Sequence, residues 1–220
     1  PMCLSLEELD KIENAATENG LTVMEAFMHL HHPQTHLWKS IIDEGRIGEL
    51  RTMQSCFCFN FDRDKDNYRW NADQGGGALW DVGVYPISLF QYLFGTAPEN
   101  GLAFMYSENG IDLSTSAILD YGKGITGQFF VSFRSAYSTD TVIHGAEAQL
   151  YISHPFNNVD SCKAFIKRND EIEIIDVPRQ YLYSGEVENM HDVVLESSSP
   201  FVTLKQSRDV LKTILLLREK

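Results

Sequence analysis

Met53-Gln54-Ser55-Cys56-Phe57-Cys58-Phe59-Asn60-Phe61 alternates apolar and more polar side chains. A period of two puts Met53, Ser55, Phe57, Phe59 and Phe61 on one well-buried face of a β-strand. Cys56 and Cys58 fall on the other. Downstream the same texture recurs in series: Leu102–Tyr106, Leu113–Tyr121, Ile125–Arg134, Asp140–His144, Ala148–Ser153, Lys163–Arg168 and Glu171–Val177 all read as strands. Gly122-Lys123-Gly124 and Asn169-Asp170 are hairpin turns between neighbours, and turns this short join antiparallel strands. Between the first strand and this series lie an irregular polar stretch, Asp62 to Gln74, three glycines, and an apolar helix over Ala78 to Phe94 that stops at Gly95. Two helices close the chain, roughly Glu186 to Ser197 and Leu204 to Arg218. The resulting fold class is α+β: a large, mainly antiparallel sheet with flanking helices. Helices cover one face of such a sheet. A second copy of the protein would cover the other, which predicts a homodimer through the sheet.

Upstream of Glu49 the texture differs. Ser5-Leu6-Glu7-Glu8 is a capping box, and Leu6, Leu9, Ile12 and Ala16 then recur at helical spacing until Gly20. Leu21 to Phe27 reads as a short buried strand, and Thr35 to Glu44 as a second helix ending at Gly45. This helix–strand–helix rhythm belongs to an α/β unit. It has the look of the tail of a parallel sheet, which divides the chain into residues 1–46 and a sheet domain over 47–220.

Composition removes several functions. The formal charge is −13 over 220 residues, a field that repels phosphate backbones and argues against nucleic acid as a partner. The longest apolar runs are too short to span a bilayer, and no basic, then apolar, leader opens the sequence. Cys3, Cys56, Cys58 and Cys162 fit no common zinc spacing and are too sparse for a disulfide framework, so they read as reduced thiols of a cytoplasmic protein. His31, His32 and His36 lack the spacing of a zinc helix and read as helix-start and pocket-wall residues. No metal site is expected.

The residues able to carry chemistry lie in Asn67-Tyr68-Arg69-Trp70 and in Gly75-Gly76-Gly77-Ala78-Leu79-Trp80-Asp81-Val82-Gly83-Val84-Tyr85-Pro86-Ile87. The glycines allow a backbone to approach a ligand closely, and they lead into a helix start whose free N–H groups favour anions. Asp81 and Tyr85 are four apart and share a helical face. A phenol can relay a proton to or from an alcohol oxygen, provided a cation lowers its pKa from about 10. Pro86 places Tyr85 near a kink or in a first turn.

Taken together these stretches resemble the signature of the Gfo/Idh/MocA oxidoreductases. Glu25-Ala26-Phe27-Met28 with His32-Pro33-Gln34, then Ile47-Gly48-Glu49, His154-Pro155-Phe156, and Tyr183 followed by Glu186, Glu188, Asn189 and Met190 resemble further family segments, in order, over essentially the whole chain. Many members end the glycine motif on a histidine. Tyr85 stands there instead, which resembles the branch of glucose–fructose oxidoreductase and the dimeric dihydrodiol dehydrogenases. The resemblance implies that Tyr85 is the acid/base and that Asp81 binds and orients substrate. It implies that Arg69 and Trp70 lie near the cofactor, and Tyr183 near the cofactor or the substrate pocket. The parent would transfer hydride between NAD or NADP and a sugar, polyol or dihydrodiol.

The family's Rossmann domain, with its Gly-x-Gly-x-x-Gly turn, has no counterpart in these 220 residues. Pro1-Met2-Cys3-Leu4 resembles the residues just after the lysine of the family's Glu-Lys-Pro motif, and that lysine is the cation that would assist Tyr85. Residues 1–46 are therefore expected to be the remnant end of a dinucleotide-binding domain. The chain alone is expected to bind no dinucleotide well and to be inactive. A non-catalytic sheet module for oligomerisation or small-ligand binding is the alternative. A glycosidase that uses bound NAD is a third reading, which Tyr85 and Asn67–Trp70 fit less well.

Overall fold

The computed structural model describes residues 1–61, 67–157 and 159–218. Of the polar stretch read over Asp62 to Gln74, residues 62–66 lie outside the described residues. Six α-helices are present among them: α1 (Leu6–Glu18), α2 (Met28–His31), α3 (Pro33–Asp43), α4 (Val84–Phe94), α5 (Ser184–Leu195) and α6 (Leu204–Arg218). The strands are β1 (Leu50–Asn60), β2 (Asn100–Glu108), β3 (Ile111–Asp120), β4 (Thr126–Ser132), β5 (Arg134–Ser138), β6 (Thr141–Gly145), β7 (Gln149–Ile152), β8 (Ala164–Arg168) and β9 (Glu171–Ile175).

All nine strands join one sheet, in the order β2-β3-β4-β1-β6-β7-β8-β9, with β5 also on β1. Every pairing is antiparallel except that of β1 with β4, which is parallel and matches Thr52 to Thr126 and Cys58 to Ser132. The α+β, mainly antiparallel reading therefore holds. The expected turns at 122–124 and 169–170 join β3 to β4 and β8 to β9. Asn109-Gly110, both at positive φ, close a further hairpin between β2 and β3.

The run read as one strand over Ile125–Arg134 is two. After Ser132 the chain rounds the end of β1, with Phe133 N bonded to Leu113 O and Phe133 O accepting from Phe61 N. It then returns along the opposite edge of β1 as β5, where Arg134 pairs with Asn60 and Ser138 with Cys58. The strand-like texture runs on through the reversal, because Phe133 at the turning point is itself apolar and buried.

The alternation of β1 holds over Met53–Phe57 and then lapses, since Cys58 on the opposite face is buried and Phe59 only partly so. Met53 and Phe57 face the core with Phe129, Val131, Leu119 and Ile143 of the neighbouring strands. Helix α4 packs on β1 and α6 on β2, and α1 packs against α6. Between these layers Phe90, Ile87, Leu89, Leu211 and Ile214 are buried, each contributing roughly 1.5–3 kcal/mol by leaving water. The other face lies open. There Leu102, Phe104 and Ile118 are 60%, 83% and 54% exposed, at one end of a polar centre formed by Gln54, Gln128 and His144.

The opening segment departs from expectation. The capping box forms, with Ser5 Oγ accepting from Glu8 N at 3.1 Å and Glu8 reaching back to Leu4 N at 2.8 Å. Leu21 to Phe27, however, forms no strand, and Leu21 is exposed. An extended segment needs a neighbour to complete its hydrogen bonds, and none of the described strands lies beside it. The helix expected over Thr35 to Glu44 begins at Pro33, whose missing N–H suits a first turn, with His32 as its N-cap.

Candidate active site

The glycines are needed for backbone packing. Asn67 and Asn71 cap two successive 3-10 turns, Tyr68–Trp70 and Ala72–Gln74, through bonds of 3.0 Å to Arg69 N and Asp73 N. Onto these turns the glycine loop folds back. Gly76 N donates to Asn71 O and Gly77 N to Arg69 O, at 2.9 and 3.1 Å. A Cβ at Gly76 would lie 2.6 Å from Arg69 O. The helix start behind them is occupied as well, since Leu79 N donates to Asp112 Oδ2 at 2.8 Å. The expectation of a ligand-cradling, anion-attracting loop is therefore corrected: protein groups already fill those positions.

Leu79–Gly83 is one turn of π-helix, and α4 continues from Val84. Such a turn marks a local change of winding and recurs at functional sites. Pro86, which has no N–H to give, is the third residue of α4 and follows directly on that π-turn. The result brings Asp81 and Tyr85 to the wall of one cavity of about 370 Å³, which Pro1, Glu25, Met28, His29 and Tyr68 also line.

Tyr85 is held by rings. Its centroid is 5.0 Å from His29, 5.1 Å from Phe57 and 5.6 Å from Phe156. Its hydroxyl makes one weak contact, to Met28 Sδ at 3.9 Å. Burial, and then the Asp81 carboxylate, push the phenol up to about 12, while the Arg69 guanidinium acts in the opposite sense. Asp81 is tied on both oxygens: Tyr68 Oη donates to Oδ1 at 2.8 Å and Arg69 Nε to Oδ2 at 2.7 Å. The Arg69 guanidinium lies 4.8 Å from the centre of the Tyr68 ring. Asp81 thus organises protein groups around Tyr85 and keeps neither oxygen free of them.

The other expected site residues fall outside the cavity wall. Trp70 stacks on Phe61 at 5.7 Å and meets Phe133 edge-on at 5.8 Å. Tyr183 sits half-exposed just before α5, against Tyr181, and its field reaches Tyr85. Arg69 reaches the site through Asp81.

Tyr68, His29 and Glu25 also line the cavity; the sequence motifs contain Tyr68 and Glu25 without giving them a role, and do not single out His29. His29 is buried, with Nε2 3.0 Å from Ser88 Oγ, and burial pushes its ring down to about 3. Ser88 Oγ gives its own proton to Val84 O at 2.7 Å, so His29 is the donor in their bond and its Nδ1 is left a bare acceptor. Glu25, also buried, accepts from Met2 N at 2.6 Å. Both lie in the Glu25–Gln34 segment, whose spacing marks no face of a regular element. His32 caps α3, while His31 and His36 line a separate cleft with Gln180 and Asn189. The four cysteines are unpaired thiols.

The sequence model of the GFO/IDH/MocA C-terminal domain matches residues 36–151, and the chain belongs to that family. It is 29% identical over 204 residues to a dTDP-3,4-didehydro-2,6-dideoxy-alpha-D-glucose 3-reductase from Actinomadura kijaniata, covering 91% of this chain and 61% of that protein. It is 26% identical to trans-1,2-dihydrobenzene-1,2-diol dehydrogenase of Mus musculus, over 69% of this chain and 46% of the relative. Among solved structures, KijD10, a 3-ketoreductase from Actinomadura kijaniata in complex with NADP and TDP-benzene, superposes with a TM-score of 0.92. It is 27% identical, and the match covers all of this chain and 68% of that one. The chain thus spans about half to two thirds of the length of these relatives.

Proposed function

We propose that the chain is the substrate-side portion of an NAD(P)-dependent oxidoreductase acting on the hydroxyl-bearing carbon of a sugar, polyol or dihydrodiol. One observation carries this: a ring-clamped phenol, Tyr85, opens into a cavity beside a guanidinium–carboxylate pair. Bound NAD(P) would supply or remove the hydride. Tyr85 would pass the accompanying proton to or from the substrate oxygen. Arg69 is the cation of this chain that favours the phenolate, and Asp81 fixes its place. The aromatic cavity wall suits a planar nicotinamide ring. The dinucleotide's phosphates find no cradle in the glycine loop, where the N–H groups of Gly76, Gly77 and Leu79 are engaged. On that ground we read the phosphates as held outside the glycine loop, residues 1–46 as the end of a dinucleotide-binding domain, and the chain alone as inactive.

Two copies are proposed to pair through the open sheet face, whose apolar patch favours a like partner. Among the described residues no helix is long and apolar enough to cross a membrane, and the unpaired thiols suit a cytoplasmic setting. The test is hydride transfer by the protein at its native length, followed with NADP and NAD over aldoses, polyols and 1,2-diols. Tyr85→Phe should lower kcat by roughly 10²–10⁴-fold and leave cofactor affinity unchanged. Undiminished turnover would remove Tyr85 from the mechanism, and a wild type silent on every substrate would favour a sheet module without catalysis.

A further inference from the structure

We propose that Tyr68 determines substrate specificity by accepting a hydrogen bond from a hydroxyl next to the reacting carbon, and that Asp81 enforces this polarity. The proposal rests on the hydroxylated-substrate reading above and adds the residue that recognises it. Tyr68 lines the same cavity as Tyr85 and is 46% exposed, so its ring edge reaches a ligand. Its hydroxyl lies 2.8 Å from Asp81 Oδ1. An ionised carboxylate has no proton to give, so the phenol must be the donor in that bond. The guanidinium of Arg69 on the second carboxylate oxygen, at 2.7 Å, holds Asp81 in place. The same guanidinium lies over the Tyr68 ring at 4.8 Å and fixes its tilt.

A phenol normally offers one donor and acceptor lone pairs. Here the donor is spent inside the protein, and what remains for the cavity is acceptor capacity alone. Such an oxygen takes a hydroxyl or N–H group and meets an ether or carbonyl oxygen with lone-pair repulsion. Burial, with Asp81 next, keeps the Tyr68 phenol protonated well above neutrality, so the polarity persists across the working range. The ligand class is then a vicinal diol: one hydroxyl for Tyr85, its neighbour for Tyr68.

Binding to this chain, without cofactor, tests the assignment. The probes are trans-1,2-cyclohexanediol and its dimethyl ether, read by ligand-observed NMR on the wild type, Tyr68→Phe and Asp81→Ala. The wild type should prefer the diol. Tyr68→Phe should lose about tenfold of that preference, the worth of one neutral hydrogen bond. Asp81→Ala, which removes the acceptor and frees the phenol proton, should lose part of it while keeping the ring. An unchanged diol-to-ether ratio in Tyr68→Phe overturns the proposal, as does a wild type that does not bind the diol. Because no cofactor takes part, this failure is distinct from an absence of hydride transfer in the native-length protein.

Discussion

Asp112 on β3 occupies the space that a side chain at Gly77 would need: a Cβ built there lies 2.1 Å from Asp112 Oδ1. Gly77 also has φ +112°, a conformation that side-chain-bearing residues rarely adopt. The two facts weld the loop before Asp81 to the sheet. Gly77→Ala should therefore destabilise the fold by about 3 kcal/mol or more in chemical denaturation, since strain and the loss of the bond to Leu79 act together. Gly124→Ala is the control. It shares a positive φ, +77°, but has open space around it, and it should cost only about 1 kcal/mol.

Acid should unfold the chain through its buried histidines. His29 is held down to about 3 and His31 to about 4, against an ordinary 6.5, burial being the main cause in both. The unfolded chain therefore takes up these protons first. Stability is full above pH 6.5 and drains as pH falls toward 4, with a slope approaching about 1.4 kcal/mol per pH unit from each group. His29→Leu should flatten that slope in urea melts across the same pH window. A slope unaltered by the substitution would assign the acid limb to other groups.

Alkali should act through Tyr85. Its folded value of about 12 exceeds the ordinary 10, so its contribution is complete below pH 10 and is lost as pH rises through 12. Asp81 is the second cause of the shift, after burial. In Asp81→Asn the phenol should titrate at a lower pH, and tyrosine ring-carbon NMR reads this directly. A titration that stays in place would mean that burial alone sets the value.

The open face of the sheet makes a prediction about assembly. Phe104 is 83% exposed, so Phe104→Glu should change monomer stability by no more than about 0.5 kcal/mol. The same change should weaken a face-to-face dimer roughly 30-fold or more, seen as a shift to monomer in sedimentation velocity. Equal sedimentation of the two proteins would place the interface elsewhere.

The sheet was legible because its signal is local. Alternation in Met53–Phe61 and short glycine or asparagine turns fix which residues face inward and which strands adjoin. The parallel match of β1 with β4 was not legible, since strands that far apart in sequence carry no local mark of their pairing. The reversal at Phe133 was lost because an apolar, buried residue stands where a turn residue would mark it. For the site, the spacing of Asp81 and Tyr85 placed both on one wall, and the family resemblance supplied their roles. Tyr68 and His29 escaped because their partners, Asp81 and Ser88, lie 13 and 59 residues away. The glycines suggested a ligand, when their neighbours are the carbonyls of Arg69 and Asn71 and the carboxylate of Asp112.

The central strand has a consequence for the order of assembly. β1 takes all its partners from β4, β5 and β6, so it has none before Thr126. A ribosome making the chain in sequence exposes Met53 to Phe59 as an unpaired apolar ribbon until β4 has been synthesised. Closure of the Thr52–Thr126 loop must come before the middle of the sheet exists, and long-range closures of this kind slow folding and prolong exposure to aggregation. Refolding yield should therefore depend steeply on protein concentration, with the slow phase reporting the arrival of β4.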